Sequence, residues 1–337
     1  MQTVDKLEVV GSIRRILDQC IGIAPGEQVL IVTDSGFNLE LAELFAICCA
    51  ERDAEVATMV MRTRDHVGDL PPPMVVEAMK TSDVVLEMCK IWVGSAPSRI
   101  EACKAGARYC TWPALDEIVL RKNGPAWADF EGLHPHLMAL DKKFTEAKRV
   151  RVETKAGTRI EAVIEGRQGR TLSGICREKG RYEAPPHMEV GIGPIEDSTQ
   201  GVIVVDGRVQ HTPFGEVTAP FEMSVEGGRI TEIRSEGGGK VFADFLRDAL
   251  AAYQDPNIYV IAEIALGMNP KANRLDRDME GESGLGTAHF GIGDNIGYGG
   301  TNKAPGHRDC VVRDVTFFLD DELIVKDGVI QLEGFPI

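Results

Sequence analysis

Leu7, Val10, Ile13, Leu17 and Ile21 recur at helical spacing, so the segment from about Val4 to Cys20 reads as an amphipathic helix. After the turn P-G-E-Q, the continuous apolar run Val29–Val32 is a buried strand. Asp34 or Ser35 then caps a helix over Leu39–Cys49. The pattern repeats: a strand at Val56–Met61, a helix opened by Pro71, Pro72 and Pro73 and running through Met79, a strand at Ser82–Met88, and another at Ala107–Thr111. Strands alternating with helices at this spacing predict an α/β fold, a doubly wound and mainly parallel sheet filling an N-terminal domain over residues 1–145.

The texture changes at the polar stretch Asp141–Lys148. Beyond it come short alternating strands with glycine turns: V-R-V-E-T, R-I-E-A-V-I-E-G-R, G-V-I-V-V-D-G and the hairpin V-E-G-G-R-I-T-E-I. One helix, Val241–Tyr253, interrupts them after the triplet Gly237–Gly239. The strongly apolar strand I-Y-V-I-A-E-I-A-L-G follows, and F-F-L-D-D-E-L-I-V-K closes the chain as a hairpin. Residues 146–337 are therefore expected to form an α+β domain, the one that binds metal.

Charge narrows the partners. The chain of 337 residues carries a formal net charge of −15, which sets most of its exterior against nucleic acid and anionic membranes and leaves a small-molecule or peptide substrate. Its first ten residues lack the basic and apolar regions of a secretory signal, no run approaches a membrane span, and a cytoplasmic location is expected. The eight cysteines form no C-x-x-C pair and read as reduced core residues. No G-x-G-x-x-G follows the first strand, so no nucleotide cofactor is expected in the N-terminal domain.

Chemistry concentrates between Ala288 and Arg313. His307 and Asp309 are two apart at the start of an apolar run, so a strand there aims both into one space. Glu263, flanked by Ile261, Ala262, Ile264, Ala265 and Leu266, is a carboxylate inside a core strand and needs a cation or a proton. With Glu216 and His289, the set has three carboxylates and two imidazoles, suited to zinc, cobalt, manganese or iron(II). Five donors exceed what one catalytic ion with an open position needs, which points to two divalent ions clamping a water. The general base is not assigned between Glu216 and Glu263. Glu280 and Glu282 read as a solvated acidic turn, and His66, His134, His136, His187 and His211 as surface residues.

These residues resemble a family. Gly215-Glu216-Val217, Ala262-Glu263-Ile264-Ala265-Leu266, His289-Phe290-Gly291-Ile292-Gly293 and His307-Arg308-Asp309 are similar to the motifs that supply the dinuclear metal site of the aminopeptidase T and aminopeptidase S metallopeptidases. That resemblance implies a two-domain homodimer and a metal-dependent hydrolase of a peptide or small amide C–N bond. The family's tyrosine seven residues after the first histidine is replaced here by Ile296; Tyr298 is the nearby substitute and the one candidate catalytic residue.

A second resemblance, of Gly293–Asp309 to the 2,5-dihydroxypyridine 5,6-dioxygenases, implies instead one iron(II) and a ring-cleaving reaction. In those enzymes a histidine stands where this chain has Glu263. His289, His307 and Asp309 would then form the triad that holds the iron. A non-catalytic binding protein on the same fold is the third expectation.

Overall fold

In the computed structural model, residues 5–112, 115–235 and 237–335 are described. They form two compact units. The first runs to His134 and takes in Leu172–His187; the second comprises Pro135–Thr171 and Met188 onward. The sequence-based division at 145/146 thus falls inside one helix, Phe130–Glu146, and the chain returns to the first unit later.

The first unit is a parallel sheet with strands β1 (Gln28–Asp34), β2 (Glu55–Met61), β3 (Val84–Met88), β4 (Arg108–Thr111) and, from the returning segment, β8 (Tyr182–Glu183), in the order β2-β1-β3-β4-β8. Helices α1 (Lys6–Arg15), α2 (Leu39–Ala50), α3 (Pro73–Thr81) and α4 (Pro97–Ala105) flank it, and the α/β class expected from the alternation is present. The Asp5 carboxylate caps α1 at Leu7 N. The buried stripe of this helix and the π-helical turn after it is Val9, Ile13, Ile16, Leu17, Cys20 and Ile21. Leu7, expected in the stripe, is 80% exposed because it stands two residues before the buried Val9 and so points from the opposite side of the helix.

The second unit holds two sheets. Strands β5 (Arg149–Glu153), β6 (Arg159–Val163), β10 (Gln200–Val205), β12 (Phe221–Glu226), β13 (Arg229–Arg234), β17 (Thr316–Leu319), β18 (Glu322–Lys326) and β19 (Val329–Ile330) form an antiparallel sheet, ordered β13-β12-β10-β6-β5-β17-β18-β19. Alternation drives it: Val150, Val152, Ile160 and Phe317 are buried, and Phe144 packs on Phe317 at 5.5 Å between ring centres.

The other sheet carries the chemistry. It consists of β7 (Arg170–Leu172), β9 (Glu189–Ile192), β11 (Arg208–Val209), β14 (Ile261–Gly267), β15 (Ala288–Gly293) and β16 (His307–Val312), ordered β11-β16-β15-β14-β9-β7. Every residue of β9, β14 and β15 is buried, which explains why these strands read as continuous apolar runs. Among the described residues, no helix is long and apolar enough to cross a membrane.

Candidate metal centre

Antiparallel register fixes which side chains share a face. Gly291 lies opposite Glu263 on one side and Asp309 on the other; His289 lies opposite Ala265 and Val311; Gly293 lies opposite His307; Gly267 lies opposite Glu189. Side chains directly opposite one another point the same way, so Glu189, Glu263, His289, His307 and Asp309 converge on one face of four adjacent strands. Cys310 is paired with Phe290 in the other set and faces away, as the strand alternation required.

Glycine makes the convergence possible. A Cβ on Gly291 would stand 2.5 Å from His307 Cε1 and 2.8 Å from Glu263 Cβ. One on Gly191 would clash with Ala265 and reach within 3.2 Å of Glu263 Oε1. These residues are required for close approach at ordinary strand dihedrals, not for an unusual turn.

The donor atoms fall into two groups that share Glu263: Glu189, Glu263 and His289, and Glu263, His307 and Asp309. Within each, the ligand atoms lie within 4.8 Å of one another. His307 Nε2 is 3.3 Å from Glu263 Oε2 and 3.2 Å from Asp309 Oδ1, and His289 Nε2 is 3.2 Å from Glu189 Oε2. The Nδ1 of His307 donates to the Asp294 carbonyl at 2.8 Å, which orients the ring and leaves Nε2 as the ligand atom. Two buried atoms, Glu263 Oε1 and His289 Nδ1, have no hydrogen-bond partner among the described residues.

Electrostatics asks for positive charge here. Burial opposes charging His289, yet the Glu189 hydrogen bond and the Glu263, Glu189 and Asp309 charges overcome it and lift its pKa to about 10. His307 is likewise pushed well above its ordinary value, with burial outweighed first by Asp309. Burial and the Asp309 charge push Glu282 well above the carboxylate range. Protons on these groups stand where a divalent ion would otherwise balance the carboxylates, and O and N donors at orphaned, buried positions fit such an ion.

Four of the sequence-derived donors, Glu263, His289, His307 and Asp309, are therefore brought together. Glu216 is not: half-buried, it pairs with Arg313 at 2.9 Å, the salt bridge that is the ordinary alternative for such a carboxylate. Its place is taken by Glu189, which sequence analysis missed. The available signal was the same one that marked Glu263, a lone carboxylate in an apolar run, M-E-V-G-I.

Tyr298 lies at the site. Its ring stacks on His307 at 5.3 Å and 14°, and the Arg170 guanidinium sits 4.6 Å from its centre and 3.5 Å from Glu189 Oε1. Ile296 is 52% exposed. The acidic turn is not solvated, since Glu280 is buried and Glu282 accepts from Gln210 Nε2 at 3.1 Å, while Gln210 Oε1 accepts from Asp309 N. His187 is buried, not a surface residue.

The chain matches the family described as 2,5-dihydroxypyridine 5,6-dioxygenase over residues 8–332. It is 26% identical over 268 residues to the 2,5-dihydroxypyridine 5,6-dioxygenase of Pseudomonas putida KT2440, covering 74% of this chain and 71% of that protein. The solved structure of the 2,5-dihydroxypyridine dioxygenase from Pseudomonas putida KT2440 superposes with a TM-score of 0.82 at 21% identity, over 98% of this chain and 99% of that one. Wild-type AmpT from Thermus thermophilus superposes with a TM-score of 0.66 at 16% identity, over 97% and 100% of the two chains.

The aminopeptidase likeness is thus one of fold, and the expectation of a C–N hydrolase, an aminopeptidase-like metalloprotease, is overturned by a family match that spans nearly the whole chain and names an oxygenase. The chain belongs to the 2,5-dihydroxypyridine 5,6-dioxygenase family.

Proposed function

We propose that this protein is a metal-dependent dioxygenase that opens a small dihydroxylated ring of the pyridine type. The observation that carries the reading is the convergence of Glu263, His307 and Asp309 on a glycine-cleared strand face, in a chain of this family. These three would hold one iron(II), with Glu263 in place of the histidine that the sequence resemblance implies. When bound, the ion supplies the electron transfer that lets dioxygen react with a ring.

The protein's own groups do the rest. His307 is locked by Asp294, and Asp309 is held through its backbone N–H by Gln210, so two donors are oriented before any ligand arrives. His289, charged beside Glu189 with its pKa lifted to about 10, would act as a proton donor toward the oxygen that gains negative charge as the ring opens. Tyr298, covered by His307 and the Arg170 guanidinium, fixes the plane of the His307 ring.

The second donor group, Glu189, Glu263 and His289, favours a second reading of the metal content, with two divalent ions of the zinc, cobalt or manganese kind sharing Glu263. Anaerobic loading followed by metal analysis and oxygen uptake on 2,5-dihydroxypyridine tests both. About one iron per chain, with dioxygen consumed in step with loss of the ring, is the expected result. Iron-loaded protein that consumes no dioxygen with any dihydroxypyridine would refute the function. About two non-iron ions per chain would replace the single-iron reading of the centre.

A further inference from the structure

The first unit has its own polar crevice, distant in sequence from the metal donors. Its strand order reverses between β1 and β3, because β1 pairs with β2 on one side and with β3 on the other. In open parallel sheets the carboxyl ends of the strands at such a point form a crevice that commonly takes a ligand.

Three loops meet there. Asp34, the last residue of β1, is fully buried and accepts from Gly36 N at 2.8 Å, Thr63 Oγ1 at 3.0 Å and Lys90 N at 2.9 Å. Its carboxylate is spent on tying the loops after β1, β2 and β3 together. The Lys90 side chain then lies across Gly36, where an added Cβ would come within 2.8 Å of both Lys90 Cδ and Thr63 Oγ1. Ser35 Oγ stands 3.4 Å from Thr63 Oγ1 at the same place.

Two cations are left over. Lys90 is exposed and its ammonium makes no hydrogen bond or ion pair among the described residues. Arg64, next to Thr63, is half-buried; it makes no ion pair among the described residues, and its Nε is buried without a hydrogen-bond partner. It is close enough to Cys89, just past β3, for its charge to act on that thiol.

An unpaired half-buried guanidinium loses hydration and gains nothing in return. It is conspicuous in a chain of net charge −15, where Arg52, Arg108 and Arg181 of the same unit each have a carboxylate partner. Nearby acids do not neutralise it. Glu87 is fully buried under Thr111, and neither Asp65, exposed on the loop of Arg64, nor Asp69, half-buried and accepting from His66 N at 2.9 Å, forms an ion pair with either cation among the described residues. Trp92, anchored by Nε1 on Thr111 Oγ1 at 2.9 Å, adds a half-buried apolar surface at the same edge.

We propose that this crevice is a second binding site, for a small molecule bearing an oxyanion, with Arg64 and Lys90 as its counter-charges and Ser35 as a hydroxyl donor. A guanidinium recognises carboxylate and phosphate alike, and both oxyanions fall within the proposal. It stands whether or not the ring-cleavage reading does.

Titration calorimetry on the full-length, metal-loaded protein tests it, with inorganic phosphate and succinate as separate probes at about 150 mM salt, where loosely held surface charge is screened. Saturable one-to-one binding of either probe is expected, weakened at least about tenfold in the double variant Arg64→Gln, Lys90→Gln and retained in Asp309→Asn. A response to phosphate alone identifies a phosphorylated ligand, and one to succinate alone a carboxylate. The double variant removes no side-chain hydrogen bond or ion pair seen among the described residues and keeps most of both aliphatic stems, so its melting temperature without anion should stay close to the parent's. Absence of saturable binding by both probes, equal binding by the double variant, loss of binding in Asp309→Asn alone, or a destabilised double variant would each overturn the proposal.

Discussion

Substituting Gly291 by alanine probes the metal centre without removing a single donor. The added methyl would sit 2.5 Å from His307 Cε1 and 2.8 Å from Glu263 Cβ, where 3.4 Å is the start of ordinary contact. The imidazole must therefore retreat by about 0.9 Å or the strands must part. Neither is free. His307 is held by its bond to the Asp294 carbonyl at 2.8 Å, and Gly291 is paired on both sides, with Glu263 and Asp309. A donor displaced by about 1 Å costs roughly a hundredfold in a positioned reaction, and a disturbed ligand shell weakens metal binding by about 10- to 100-fold. We expect iron affinity, measured by chelator competition, to fall by about 1.4–2.8 kcal/mol, and the fold itself to lose about 1–3 kcal/mol from overpacking. Gly291→Ala protein that binds iron within about twofold of the parent, and turns over at the parent rate, would show that the two donors do not meet at this glycine.

Other perturbations separate neighbouring claims. Glu216→Ala should leave metal content unchanged and cost at most about 0.5 kcal/mol in urea unfolding, because its pairing with Arg313 is partly exposed, whereas Glu263→Ala should abolish metal retention. Glu196 accepts from Thr301 N at 2.6 Å, Asn295 Nδ2 at 3.0 Å and Arg167; burial works against its charge, but these donors hold its pKa down at about 2. Glu196→Ala should therefore speed amide exchange at Thr301 and Gly300 and loosen the turn that carries Tyr298; unchanged protection there would remove Glu196 as the anchor. Burial raises Glu87 to about 7, with the Thr111 hydrogen bond opposing incompletely, so the native state holds this proton more tightly than the unfolded chain. The stabilisation that the proton gives is complete below the unfolded carboxyl range near 4.5 and is lost as pH rises through about 7, a change on the order of 3 kcal/mol. Glu87→Gln should flatten that part of the pH–stability curve, and an equally steep curve in the variant would assign the dependence elsewhere.

How much of this was legible in the sequence varies by element. β1, β3 and β14 were plain because a strand covered on both sides needs apolar residues at every position, and a charge inside such a run, as at Glu263, announces itself. Glu189 carried the same signal but at the first position of a four-residue strand, too short to stand out from a turn. β8 spans two residues and carries no periodicity, so the return of Leu172–His187 to the first unit could not be read, nor could the interrupted domain boundary it creates. Glu216 lay in a convincing motif, yet its partner Arg313 is nearly a hundred residues away along the chain and is set beside it only by the fold.

The sequence by itself determined the α/β first unit and the strand-rich second, and it singled out His307, Asp309, Glu263 and His289 as candidate donors by residue type, since periodicity and residue chemistry are local properties. Tertiary structure decided which of those donors meet. Register between strands far apart in sequence placed Gly291 between Glu263 and Asp309 and brought Glu189 in, and no local pattern encodes the register of non-adjacent strands.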